Sequence, residues 1–266
     1  MTIAHISDLH FGRIAHPGVV EALVDEINAA EADLVAVSGD LTQRARVSEY
    51  EAARAMLEAL TPPTLVVAGN HDVYPWWRPL RRLWTPLARY KQYITAELAP
   101  TFEAQGVSVL GLTSAYGPSI KGGRLGAADR AAVADYFSGR GDGFKVLVVH
   151  HQLHPTAIGS ISPHPVARRA RDVLDVAVDV GVDLILCGHL HVSAVQPVEV
   201  LPGTPRIVVA SAGTATSNRY REPAGPVNVY NVVSIAPDAF SVEERRYVPD
   251  ENRYVRDGET RFDRNL

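Results

Sequence analysis

Residues 66–74 read VVAGNHDVY: an apolar run stops at Gly69 and the chain then presents an amide, an imidazole and a carboxylate, Asn70, His71 and Asp72. Alone, the stretch reads equally well as a polar turn carrying one surface histidine. The choice rests on whether other strands of this chain end in side chains of the same kind.

Around it, short apolar runs alternate with segments whose apolar residues recur at helical spacing. TIAHIS (2–7), DLVAVS (33–38) and TLVVAG (64–69) read as strands, separated by the helical patterns VVEALVDEINAA (19–30) and VSEYEAARAMLEAL (47–60). This β-α-β-α-β order predicts parallel strands joined by right-handed crossovers. Their near-continuous apolar character predicts burial on both faces.

The rhythm resumes with VSVLGLTS (107–114), a helix near 126–137, KVLVVH (145–150), a helix near 165–180 and VDLILCG (182–188). RIVVASA (206–212), VNVYNVVSI (227–235) and FSVEERRYV (240–248) then read as a meander, which favours antiparallel pairing and a second, mixed sheet. One domain is expected over 1–250, with a cap-like insertion near 74–94 and a polar, loosely attached tail over 251–266. The insertion, YPWWRPLRRLWTPLARYKQYI, is dense in tryptophan, proline and arginine. It reads as an amphipathic cap facing a ligand or as a packed surface helix with solvated arginines.

The strand ends carry the chemistry. Asp8 and His10 follow the first strand, Asp40 the second with Arg44 four residues on, and Asn70 and His71 the third. The run at 145–150 ends at His150 and His151, and the run at 182–188 leads into His189 and His191. Ligands of open α/β sheets bind at the carboxyl ends of the strands, so these five turns are expected to converge. A D-x-H or H-x-H pair leaving a strand sends both side chains one way, because alternate residues share a face. So many oxygens and imidazoles exceed the needs of one tetrahedral ion. They suit two ions about 3.5–4 Å apart with a carboxylate between them.

Composition narrows the rest. The net charge of −4 offers no basic field for nucleic acid, and all but three of the 26 basic residues are arginines. Cys187 is the single cysteine, which excludes a disulfide framework and a thiolate cage and reads as core packing. His5, inside the first strand, reads as a satisfied structural histidine. No leader pattern or membrane span is present, so a cytoplasmic enzyme or binding protein is expected. Oligomeric state has no signature in the sequence.

The ordered set D-x-H, GD, GNHD, H and GHxH, from residue 8 to residue 191, resembles the calcineurin-like metallophosphoesterases. Among them it is most similar to bacterial phosphodiesterases related to the class III cyclic-nucleotide enzymes. The resemblance implies an α/β fold, a four-layer αββα sandwich with two mixed β-sheets flanked by helices. It implies that Asp8, His10 and His191 hold one metal, and that Asp40 bridges to a second completed by Asn70, His150 and His189. His71 corresponds to the family's catalytic histidine, which binds no metal, and joins Asp40 as catalytic. Arg44 and His151 are expected at the substrate, Arg44 on the phosphate and His151 lining the pocket or donating from behind the ligands.

The implied chemistry is attack by a metal-bound hydroxide on a phosphodiester, possible substrates including a 3',5'-cyclic nucleotide, while His71 protonates the leaving oxygen or orients the phosphate. Two divalent ions are expected, manganese ahead of iron or zinc, because the ligands are oxygen and imidazole without thiolate. The partner is a small-molecule phosphoester, with no stable nucleic-acid partner. Alternatives are a phosphomonoesterase, a nucleotide-lipid pyrophosphohydrolase and a non-catalytic scaffold. Substrate choice is expected to lie in 74–94, 154–162 and 211–222.

Overall fold

Residues 1–155, 166–200, 206–221 and 225–264 are described by a computed structural model. The chain begins β1 (Thr2–Ile6), α1 (Val19–Ala29), β2 (Leu34–Val37), α2 (Val47–Ala59) and β3 (Thr64–Val66), as its alternation predicts. Two short helices, α3 (Pro79–Trp84) and α4 (Ala88–Tyr93), come before β4 (Thr101–Ala104) and β5 (Val107–Leu112). Then follow α5 (Ala127–Phe137), β6 (Phe144–Val149), α6 (Ala170–Asp179), β7 (Leu184–Cys187) and β8 (Ala194–Val198). The chain closes with β9 (Ile207–Ser211), β10 (Val229–Ile235), β11 (Ala239–Val248) and β12 (Arg253–Asp263).

Among the described residues the strands form two six-stranded sheets, ordered β12-β11-β10-β1-β2-β3 and β4-β5-β6-β7-β9-β8. In the first, β1, β2 and β3 are parallel and the other three antiparallel to their neighbours. In the second, β5, β6, β7 and β9 are parallel, with β4 and β8 as antiparallel edges.

Strand alternation builds the layers. Leu34 and Ala36 join Val146 and Val148 in a core between the two sheets. Their neighbours Val35 and Val37 face outward onto α1, α2 and α4, while Leu147 and Val149 face α5 and α6. Each central strand is thus buried on both sides, which is why its sequence is apolar without a break. The result is the expected four-layer αββα sandwich.

Three expectations are corrected. The late strands do not form a sheet of their own: β9 lies parallel beside β7 in the second sheet, while β10 and β11 extend the first beyond β1. The segment 251–266 is not a loose tail, because Arg253–Asp263 pairs along β11 as an edge strand. Its charged residues face solvent, as suits an edge, whereas Tyr254 and Phe262 are buried. Two aromatics set among nine other residues, mostly charged, were too sparse to read as a strand.

The arginines of the 74–94 insertion are not all solvated. Arg82 is buried and donates to the Tyr74 and Ser119 carbonyls, and Arg89 donates to the Ala45 carbonyl at 2.7 Å. The expected helix start near 165, most of the 154–162 loop and residue 222 fall outside the described residues; α6 is described from Ala170.

Candidate metal centre

The five turns meet where the carboxyl ends of β1, β2 and β3 face those of β6 and β7, so both sheets contribute. Asp8, His10, Asp40, His189 and His191 all have left-handed backbone, with φ of 53°, 46°, 54°, 70° and 57°. They lie beyond the last residue of their strands, so strand alternation does not aim them. The left-handed turns do. Such conformations cost about 1–3 kcal/mol each for residues other than glycine. They persist here because the turns hydrogen-bond one another: Asp8 N–H to the Gly39 carbonyl at 3.0 Å and His10 N–H to the Asp40 carbonyl at 2.9 Å.

Two glycines permit the approach of these loops. A Cβ on Gly69 would collide with the Asp40 side chain and backbone, and one on Gly188 with the Ser7 hydroxyl. Gly69 thus serves by the space it leaves open, and its φ is not in the left-handed region.

The donor atoms fall into two buried groups. In one, Asp8 Oδ1 lies 3.5 Å from His10 Nε2 and 3.3 Å from His191 Nε2, and the two imidazole nitrogens stand 3.4 Å apart. In the other, His150 Nε2 lies 3.3 Å from Asn70 Oδ1 and packs with His189 and His151. Asp40 Oδ2 stands between the groups, 3.6 Å from His10 Nε2 and 3.4 Å from His150 Nε2.

These spacings fit metal ions. Donors about 2.1 Å from one ion, at tetrahedral to octahedral angles, stand about 3.0–3.4 Å from each other. Asp8 Oδ1 and His191 Nδ1 are buried without a hydrogen-bond partner, a costly state for Asp8 unless a cation supplies the missing contact.

The surroundings set which atoms point inward. His10 Nδ1 donates to the Thr42 carbonyl at 3.3 Å and His150 Nδ1 to the Ser38 carbonyl at 2.7 Å, leaving each Nε2 toward the centre. Asp8 Oδ2 accepts from Ser7 Oγ at 2.8 Å and from His189 N–H at 2.9 Å, so Oδ1 faces inward. Asp40 Oδ1 accepts from His71 N–H at 2.8 Å, which turns Oδ2 to the middle.

The electrostatics show a demand for positive charge. Burial opposes ionisation of Asp8 and Asp40, yet the imidazoles, His191 on Asp8 and His150 on Asp40, hold both carboxyls well below their usual range. Burial acts against a charged His150 too, but Asp40 lifts it to about 9.

Beside the groups lies a cavity of about 720 Å³, whose lining includes Asp40, Asn70, His71, His189 and His191. Arg44 is on its wall. His71 donates from Nδ1 to the Gln43 carbonyl at 2.8 Å, and its Nε2 accepts from Arg219 Nη1 at 2.8 Å. Burial lowers the His71 pKa to about 4 against the pull of Asp40, and the Arg219 guanidinium acts in the same sense as burial.

His151 is not placed to meet a substrate. It is fully buried, bonded through Nδ1 to Ser114 Oγ at 2.8 Å, with its ring behind His150 and His189. His5 and Cys187 are buried as expected, bonded to Ser38 Oγ and Gln152 respectively.

Arg219 and Arg221, from the loop after β9, and Trp76 and Trp77, from the insertion, also line the cavity. Both segments were expected to bear on substrate, but no residue in them could be singled out. SNRYRE carries no spacing that ties it to a strand end.

Two sheets joined at a rim of carboxylates and imidazoles, open to a cationic cavity, define a metal-dependent hydrolase of anionic esters. The calcineurin-like phosphoesterase family model matches residues 1–193, and the chain belongs to that family. It is 28% identical over 207 residues to a probable cyclic nucleotide phosphodiesterase of Synechococcus, covering 74% of this chain and 75% of that protein. Over 82 residues it is 39% identical to a glycerophosphodiester phosphodiesterase of Enterobacter lignolyticus, covering 27% of this chain and 30% of that one. A dimetal phosphatase from Danio rerio shares the fold, with a TM-score of 0.69 at 14% identity, covering 100% of this chain and 99% of that one. The protein is therefore a metal-dependent phosphoesterase.

Proposed function

We propose that the protein is a dinuclear phosphodiesterase acting on a small anionic diester, with 3',5'-cyclic nucleotides the first candidates. The observation that carries the reading is the position of Asp40 Oδ2, 3.6 Å from His10 Nε2 and 3.4 Å from His150 Nε2, between the two donor groups. In this reading Asp8, His10, His191 and Asp40 hold one ion, and Asp40, Asn70, His150 and His189 the other. Manganese is the favoured metal, with iron and zinc as alternatives, since the donors are oxygen and imidazole. The working place is the cytoplasm, in keeping with a lone buried thiol at Cys187.

Ions held there supply Lewis acidity and an activated water at neutral pH. The chain's own residues do the rest. Arg44 and Arg219 face the cavity as cations for the phosphoryl oxygens. His71 holds its proton at Nδ1 against Gln43, so Nε2 is the acceptor of Arg219. This geometry favours His71 as an orienting group over a proton donor, because a proton on Nε2 would face the guanidinium. The similarity to a probable cyclic nucleotide phosphodiesterase and, over a shorter stretch, to a glycerophosphodiester phosphodiesterase supports a diester over a monoester.

The test is hydrolysis of bis-p-nitrophenyl phosphate beside p-nitrophenyl phosphate, by metal-stripped protein and after refilling with manganese, iron or zinc. Metal-dependent turnover of the diester, lost in Asn70→Ala, is expected. Preference for the monoester would move the assignment to a phosphatase.

A further inference from the structure

Among the described residues, the large apolar side chains left exposed are Trp76, Trp77, Leu80, Leu83, Trp84 and Ile120. They are not scattered. Trp76, Trp77 and Ile120 line the catalytic cavity, and Leu80, Leu83 and Trp84 continue from them along α3.

That helix is inside out. Leu80, Leu83 and Trp84 fall at i, i+3 and i+4 and share one face, yet Leu80 is 72% and Trp84 81% exposed. The charged Arg82 is the residue turned inward, 8% exposed and bonded to the Tyr74 and Ser119 carbonyls. A helix folded against its own core would show the reverse arrangement. A contiguous apolar face of this kind marks a docking surface.

We propose that this face docks on an anionic lipid surface, which brings the mouth of the cavity to the bilayer. Tryptophan is the side chain favoured at the boundary of headgroups and acyl chains. Arg78 and Arg81, both exposed, are interleaved with the apolar residues, and Arg13, Arg44, Lys121 and Arg221 ring the adjoining cavity. Such cations are drawn to anionic headgroups, although the chain as a whole carries −4. The same charges disfavour a second copy as occupant, because a two-fold interface sets each patch against its own image. Arg78 and Arg81 would then face Arg78 and Arg81. The inference does not depend on which phosphoester is cleaved.

The experiment is sedimentation of the full chain with vesicles of pure phosphatidylglycerol or pure phosphatidylcholine. Binding to phosphatidylglycerol is expected at least about tenfold tighter, weakening with salt, with a blue shift of tryptophan emission. The triple variant Leu80→Ser, Leu83→Ser, Trp84→Ser should lose about tenfold or more of that binding while its circular dichroism and melting are unchanged. Should it fold poorly, Arg78→Glu serves instead, with weakened binding to phosphatidylglycerol expected. Wild-type protein that ignores phosphatidylglycerol, or variants that bind undiminished, would overturn the proposal. Patch-dependent self-association in sedimentation velocity without vesicle binding would overturn it in favour of a second copy.

Discussion

Arg219 Nη1 donates to His71 Nε2 at 2.8 Å, joining the loop after β9 to the loop after β3. With Gln43 holding Nδ1, the His71 ring is fixed at both nitrogens. His71→Ala is expected to lower turnover of the diester about 10²-fold, the cost of losing an orienting group. Arg219→Ala is expected to lower it about 10²-fold, with metal content by elemental analysis unchanged in both. The double variant should be little worse than His71→Ala alone, because residues acting as one unit are not additive. Additive losses would show that the two act separately.

Asp72 sets how the turns after β2 and β3 meet. Its carboxylate accepts from the backbone of Leu41 (3.3 Å), Thr42 (2.9 Å) and Gly69 (2.9 Å), and from Thr42 Oγ1 at 3.0 Å. Burial and the nearby Asp40 push its pKa up to about 6 against the pull of these donors. Asp72→Ala strands buried donors at about 1–3 kcal/mol each. Urea unfolding of metal-free protein should show a loss above about 3 kcal/mol, and Asp72→Asn, which keeps one acceptor oxygen, a smaller one. Equal midpoints for wild type and Asp72→Ala would refute this role.

Three buried tyrosines give the fold an alkaline limit. Tyr50, Tyr90 and Tyr254 donate to the carbonyls of Asp72, Val66 and Ala215, at 2.6, 3.0 and 2.6 Å. Burial raises all three pKa values well above the ordinary 10.0. Below that value both folded and unfolded chains keep the protons and the stability is fully present. Above it the unfolded chain releases them first, so stability falls as pH rises toward the folded values. For these tyrosines the tyrosinate absorbance should appear together with loss of circular dichroism. Tyr254→Phe should reduce the alkaline sensitivity, at a cost near neutrality of about 1 kcal/mol.

Removal of β12 tests the corrected end of the chain. A chain stopped before Arg253 loses the partner of β11 and the buried Tyr254 and Phe262. Burying a large apolar side chain stabilises by about 1.5–3 kcal/mol, so the truncated chain should melt lower by several degrees or fail to remain soluble. An unchanged melting temperature would return these residues to the status of a tail.

Much of this was legible in the sequence because the central strands are apolar throughout and each ends in a polar turn. Asp8, Asp40, Asn70, His150 and His189 could be placed at strand ends without coordinates. The edge strands were harder. β4, TFEA, and β8, AVQPV, are short and half exposed, with little periodicity to detect. The partition of the late strands between sheets depends on contacts between residues far apart in sequence, such as Thr2 with Ser234, which no local pattern encodes. For His151 the sequence left two readings open, lining the pocket or donating from behind the ligands, and only packing that no local pattern encodes bonds its Nδ1 to Ser114 Oγ. Arg219 reaches the site from a loop whose composition resembles any other polar loop.

The left-handed turns that present Asp8, His10, Asp40, His189 and His191 set the main chain against the side chains they carry. Glycine adopts that backbone without steric penalty, so at each of these positions the residue used for chemistry is not the one that suits the main chain best. Exchange to glycine at any of the five would therefore relieve the main chain while removing a donor from the site, so backbone ease and chemistry pull in opposite directions at these positions.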